Sequence, residues 1–168
     1  MSQFEGVEID LIPLSADELR RLASGESVHD FASAPAGALP PPHVAARALS
    51  QLETGTPAFW CVPFLIVARG SGVVLGGCTF KGAPVNGCAE IGYGVAKSMR
   101  GRGVATSAVE QLLNLSTASG NVQLVVADIL PDNTASSKVV SRLGFTRSHT
   151  FVDSDGETVV RWTYPVAT

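Results

Sequence analysis

Residues 98–106, Ser98-Met99-Arg100-Gly101-Arg102-Gly103-Val104-Ala105-Thr106, place two glycines between two arginines at the junction of two apolar runs. The run before it, 88–95, reads as a strand. The run after it, 104–116, reads as a helix, with Val104, Ala108, Leu112 and Leu115 on one face. A helix start leaves backbone N–H groups unpaired and carries a partial positive charge. Glycine there accepts left-handed dihedrals and lets an anion approach the main chain. Arg100 and Arg102 add full charge. The stretch is therefore built to hold phosphate, although a glycine turn flanked by solvated arginines accounts for the same spacing.

Two phosphate-binding motifs do not fit. A P-loop needs GxxxxGK[ST], and no Gly-Lys-Ser/Thr occurs in the chain. A dinucleotide fingerprint needs GxGxx[GA] after a first parallel strand, with an acid about 20 residues on. Here Thr106 stands at the last fingerprint position, and the strands upstream read as an antiparallel meander. A nucleotide-binding regulator is thus disfavoured.

The remaining residues define the frame. With 168 residues, 45% of them hydrophobic and 16% charged, the chain has the material for one well-filled domain spanning 1–168. A chain of this size buries roughly 70% of its unfolded surface without staples. The net charge is −3 and no basic run exceeds Arg20-Arg21, so no nucleic-acid partner is expected. The longest apolar stretch, 61–68, is less than half a membrane span, so no membrane partner is expected. The opening MSQFEGVEIDL has neither the basic nor the apolar part of a signal peptide. Cys61, Cys78 and Cys88 show no metal-ligand spacing and read as buried, reduced thiols. These features predict a cytoplasmic protein. His29, His43 and His149 also lack metal spacing and read as surface residues; no metal is expected.

Alternation predicts a strand over 7–14. Ser15 with Glu18 forms a capping box for a helix to about residue 23, ended by Gly25. Prolines make 34–42 a loop, and 44–52 has helical spacing. Strands follow over 62–69, 73–80 and 88–95, joined by short glycine-rich links that favour antiparallel hairpins. After the helix comes 122–130, a nearly continuous apolar strand, as expected when both faces are buried. Asp132-Asn133 opens a last helix ending at Leu143-Gly144, and 145–152 and 159–164 form a final strand pair. The order is β-α-α-β-β-β-α-β-α-β-β.

Arg100-x-x-Gly103-x-Ala105 resembles the [QR]-x-x-G-x-[GA] acyl-CoA signature of the GNAT N-acetyltransferase superfamily. Glu90-Ile91-Gly92-Tyr93-Gly94-Val95 is similar to the strand that precedes that signature. Asp132-Asn133-x-x-Ser136-x-x-Val139, then Leu143-Gly144-Phe145, is similar to the family's second landmark. The combination most resembles the branch containing ribosomal-protein N-terminal acetyltransferases, over about residues 5–165. The resemblance implies an α+β fold: a mixed, mostly antiparallel seven-stranded sheet flanked by about four helices, with a splayed central strand pair. It implies acetyl-CoA as cosubstrate. The pyrophosphate would lie on backbone N–H groups of about Arg102–Thr106. The implied cofactor-binding residues are Val95, Arg100, Gly101, Arg102, Gly103, Val104, Ala105, Thr106, Asn133 and Ser136. Pantetheine would run between 88–95 and 122–130, pairing with free strand edges.

In such enzymes an amine attacks the thioester directly and must be neutral to do so. A lysine starts near about 10.4 and an α-amino group near about 8, so a base helps. Glu90 is the candidate base or amine holder, and a backbone-bonded strand-end acid is its plain alternative. Tyr93 reads as a wall residue. Many family members place a tyrosine seven residues past the Asn133 position, to serve the leaving thiolate. Here that position is Val140. Ser136, near the helix start, is the alternative donor to the sulfur. Asn133 and Ser136 can also serve simply as helix caps. Trp60 and Phe31 fall where the family borders its acceptor pocket. The expected partner is a small-molecule or peptide amine acceptor, met by a monomer or homodimer. The other reading is a non-catalytic acyl-CoA-binding module.

Overall fold

Local signals set most element ends. The computed structural model describes residues 8–26 and 34–166. Ser15 Oγ accepts from Glu18 N at 3.1 Å and Glu18 Oε1 accepts from Ser15 N at 2.8 Å. This reciprocal cap starts α1 (Ala16–Ala23), which follows β1 (Ile9–Pro13). α2 (Pro42–Glu53) begins two residues earlier than its apolar spacing suggests, because proline is tolerated in a first helical turn. A tight turn at Ala58–Trp60 then holds Val62, expected to open the next strand, because Val62 N donates to Ala58 O at 2.9 Å. β2 accordingly starts later, at Phe64 (Phe64–Ala68). It is followed by β3 (Val74–Phe80), β4 (Cys88–Val95), a second tight turn at Lys97–Met99, and α3 (Val104–Ser119). The chain ends with β5 (Leu124–Ile129), α4 (Thr134–Leu143), β6 (Thr146–Val152) and β7 (Thr158–Pro165).

The element order is the expected one. The seven strands form one sheet in the order β1-β2-β3-β4-β5-β7-β6. Every pair is antiparallel except β4–β5. That exception follows from connectivity: α3 carries the chain back across the sheet, and a crossover returns the next strand parallel. The fold is thus the mixed α+β sheet with four helices that the resemblance implies.

The parallel pair decides the site. β4 and β5 match only at Cys88–Leu124, Ala89–Val125 and Glu90–Val126. Beyond Glu90, β4 stays with β3, pairing Ile91 to Phe80 and Val95 to Gly76. Beyond Val126, β5 stays with β7, pairing Ala127 to Trp162 and Ile129 to Val160. The two strands therefore splay apart in the middle of the sheet.

Both faces of the sheet are packed. α3 and α4 cover one face, where Phe80, Ile91, Leu112, Val125 and Val140 are buried. α1 and α2 cover the other, over Leu19, Ala45, Leu65 and Val74. Each large apolar side chain so buried contributes about 1.5–3 kcal/mol. On α3, Val104, Ala108 and Leu112 are buried as expected and Leu115 is half-buried. Cys61 and Cys78 are buried. Cys88 is only half-buried, because it opens its strand near the sheet's end. Among the described residues no helix is long and apolar enough to cross a membrane. Nor does any group of three or more His, Cys, Asp or Glu there suit a metal ion.

Candidate active site

The gap between β4 and β5 opens into two clefts that meet. The larger, about 950 Å³, runs from Tyr93–Val95 along residues 99–106 to one face of α4. The smaller, about 500 Å³, lies between the loop and first turns of α2, the end of β3 and the end of β5. Tyr93, Gly94, Val95, Arg100, Asn133 and Ser136 line both, so they mark the junction.

All ten residues expected to hold the cofactor line the larger cleft. The opening loop has the geometry its glycines suggested. Gly101 has φ +80° and Gly103 has φ +75°, both left-handed. Gly103 is the N-cap of α3 and supplies no side chain to cap it. The first N–H groups of α3 thus keep the donors and partial positive charge that suit an anion. Arg100 Nε donates to Val95 O at 3.3 Å and folds the loop onto the end of β4. Lys138 and Arg142, one turn apart on α4, join the same wall. Sequence reasoning missed both. Their i,i+4 spacing past Asn133 is the signal that would have placed them on the face of Ser136's helix that meets the loop. With Arg100 and Arg102 they place four cationic side chains along this cleft.

The junction is held by three hydrogen-bonded residues. Asn133 Oδ1 accepts from Ser136 N at 3.1 Å, so Asn133 does cap α4. Tyr93 Oη donates to Ser136 O at 2.9 Å, pinning the first turn of α4 to β4. Tyr93 is therefore more than a wall. Burial pushes its phenol up to about 12, only partly offset by the bond to Ser136. The Ser136 backbone is fixed from both sides, and its side chain stays at the cleft junction. Val140 is fully buried among core side chains. Its position belongs to the packing of α4, away from both cleft linings.

Glu90 has company that a linear reading does not show. Its Oε2 lies 3.3 Å from Lys81 Nζ. Lys81 lines the smaller cleft, whereas Glu90 is absent from its lining. Lys81 lies across Gly92: a Cβ on that glycine would fall 2.8 Å from Lys81 Cε. The hairpin register explains the meeting, since Phe80 pairs with Ile91 and Lys81 N donates to Glu90 O at 2.8 Å. On the adjoining strands Arg161 binds Asp128 through two hydrogen bonds, 2.8 and 2.9 Å, and sits 4.9 Å over the Phe151 ring.

Cys78 also lines the smaller cleft, but burial pushes its thiol up to about 12. It is a thiol at neutral pH, and the nucleophilic species is the thiolate. Trp60 is placed differently from the expectation. It packs against Phe59 and Phe80 at 4.6 and 4.9 Å, inside the main core rather than on either cleft. The reason is the tight turn at Ala58–Trp60, which tucks the indole under the end of β3. His43 lines the smaller cleft and is exposed, as is His149 on β6. Phe31 and His29 lie outside the described residues.

Residues 9–146 match the acetyltransferase (GNAT) domain. The chain belongs to the GNAT acetyltransferase family. Over 104 residues this GNAT chain is 33% identical to the uncharacterized N-acetyltransferase YjdG of Bacillus subtilis (strain 168), covering 61% of each. Over 83 residues it is 35% identical to the uncharacterized N-acetyltransferase p20 of Bacillus licheniformis, covering 49% of this chain and 47% of that one. The matches thus span less than two thirds of either relative. Its fold is similar to that of the ribosomal-protein-S5-alanine acetyltransferase from Vibrio fischeri: TM-score 0.67, 18% identity, 98% of this chain and 96% of that one. It is equally similar to RimL, a ribosomal L7/L12 alpha-N-protein acetyltransferase in complex with coenzyme A: TM-score 0.67, 16% identity, 94% of each chain.

Proposed function

We propose that this GNAT chain works as a single domain that transfers an acetyl group from acetyl-CoA to a primary amine of a small molecule or a protein N-terminus. The observation that carries this reading is one groove joining two features. One is the β4–β5 splay beyond Glu90 and Val126. The other is the α3 start with left-handed Gly101 and Gly103. The residues present fit the cofactor. Arg100, Arg102 and the N–H groups of about Arg102–Thr106 would hold the pyrophosphate. Val95, Asn133 and Ser136 would border the pantetheine. Bound there, acetyl-CoA supplies an acyl thioester for the amine to attack.

The chain's own residues supply the rest. The smaller cleft receives the amine. Glu90, behind the cleft lining, would take the ammonium's proton through water, and its pair with Lys81 orients the carboxylate. Ser136, whose backbone is held by Asn133 and Tyr93, would offer its hydroxyl to the leaving sulfur as negative charge grows there. Both walls of the groove come from one chain, so a monomer suffices and a homodimer is compatible. The three unbridged cysteines support a cytoplasmic location.

The burial of Val140 favours one other reading, an acyl-CoA-binding module without turnover. A single assay separates them. Free thiol is followed with acetyl-CoA and a panel of primary amines, beside calorimetry with acetyl-CoA. The proposed enzyme binds acetyl-CoA and releases thiol when the right amine is present. Binding with no amine-dependent release across the panel identifies the module.

A further inference from the structure

The smaller cleft has a marked charge balance. α2 presents His43, Arg47 and Gln51 at successive i,i+4 positions, one stripe of the helix. Gln51 Nε2 donates to Lys81 O at 3.1 Å, which ties the end of that stripe to the end of β3. Arg47, one turn back, lines the cleft together with Lys81. Among the described residues neither His43 nor Arg47 has a carboxylate partner. Among the described residues the single carboxylate lining the cleft is Asp128, and it is already neutralised. Its side chain is 11% exposed and both its oxygens are bonded to Arg161. Glu90, just behind the lining, is paired with Lys81. Among the described residues, a polyamine would meet the unpaired Arg47 on the α2 wall and no free acid. An acceptor that brings its own negative charge would meet an unpaired guanidinium.

From this we infer that the amine acceptor carries a carboxylate, held by Arg47 with Lys81 beside it, so that the substrate class is carboxylate-bearing primary amines rather than polyamines. The inference rests on the acetyl-transfer reading for the identity of the smaller cleft as the acceptor site. Arg47 is solvent-facing, so its attraction is partly screened, and the preference weakens as salt shortens the Debye length.

The test compares Gly-Asp-Asp amide, Gly-Ala-Ala amide and Gly-Arg-Arg amide, which present the same N-terminal amine with different charge. Free glutamate and spermidine are two further arms. Thiol release gives kcat/KM for each. Calorimetry on CoA-saturated protein gives Kd for the same compounds without turnover. The acidic peptide is expected to exceed the basic one by about tenfold or more at low salt, and the ratio to shrink in 0.5 M salt, where the screening length falls to about 4 Å. Glutamate matching the acidic peptide assigns the carboxylate site to small amino acids; glutamate failing while the peptide succeeds assigns it to acidic chain ends. Arg47→Glu, an exposed helical position, is expected to erase or invert the ratio, and Arg47→Lys to retain most of it. A preference for spermidine or the basic peptide, a ratio unmoved by Arg47→Glu, or no measurable binding of any arm overturns the inference. Acid-over-base binding without thiol release sinks the acetyl-transfer reading instead and leaves the charge preference standing.

Discussion

Tyr93→Phe tests whether the bond between β4 and α4 is as buried as the geometry shows. The change deletes the hydroxyl that donates to Ser136 O at 2.9 Å and leaves the ring in place. A net contribution of about 1 kcal/mol is expected for such a bond at neutral pH. For a domain of this size that corresponds to a fall of about 2–4 °C in Tm. The same residue predicts an alkaline effect of opposite sign. The folded phenol is pushed from 10.0 up to about 12, mainly by burial. Between these values the unfolded chain has lost the tyrosine proton and the folded chain still holds it. Stability therefore falls as pH rises through this window, and the tyrosine's full contribution is present only below pH 10. At about pH 11 the wild type has lost about 1.4 kcal/mol from this group, which exceeds the hydrogen bond. The wild-type and Tyr93→Phe stability curves should cross just below that pH. Cys78 titrates over a similar range, but it is common to both proteins and cancels in the difference. Urea unfolding of both proteins at pH 8, 10 and 11, under reducing conditions, reads the effect. A difference that stays constant from pH 8 to 11 would refute a buried, bonded phenol.

Four further outcomes follow. Ser136→Ala leaves the α4 cap intact, because Asn133 bonds the backbone of residue 136; Tm should hold while kcat falls on the order of 10²-fold with acetyl-CoA affinity nearly unchanged, and a normal kcat leaves water as the proton source. Gly103→Val puts a branched side chain at φ +75°, costing about 1–2 kcal/mol, and should also weaken acetyl-CoA binding by calorimetry; unchanged affinity in the folded variant removes the loop from the cofactor. Val140→Tyr should lower stability by about 1–3 kcal/mol by overpacking and give no gain in kcat, since the position faces the core; a gain would show that the ring reaches the cleft. Glu90→Gln should cut turnover more at neutral than at high pH, where the amine ionises unaided, and a pH–rate profile parallel to wild type would exclude Glu90 as base.

Much of the site was legible because its signals are local. The Ser15–Glu18 box, the Asn133 cap and the two glycines before Val104 each act within a few residues. Their roles follow from hydrogen-bond reach and allowed dihedrals, whatever surrounds them. The same holds for the strand–helix order, which periodicity and glycine links specify. The hairpin register was within reach as well. Counting back from Ile91 opposite Phe80 brings Lys81 to Glu90, although reading Glu90 within its own strand leaves that cation out.

Other features belong to the sheet as a whole. A spacing of 25 residues or more along the chain says nothing of which side chains meet, because strand order and register set that distance. β7 lies between β5 and β6, and that placement alone brings Arg161 onto Asp128. Trp60 reads as a pocket aromatic in one dimension, and the turn before β2 sends it into the core. The meeting of α2 with the end of β3 turns Arg47, an ordinary surface arginine in the sequence, into part of a cleft wall. The local grammar of caps, glycines and apolar periods thus wrote the elements and the glycine loop before α3. The depth of the splay, the ion pairs around Glu90 and Asp128, and the charge lining the smaller cleft arose only when non-local pairing put distant residues side by side.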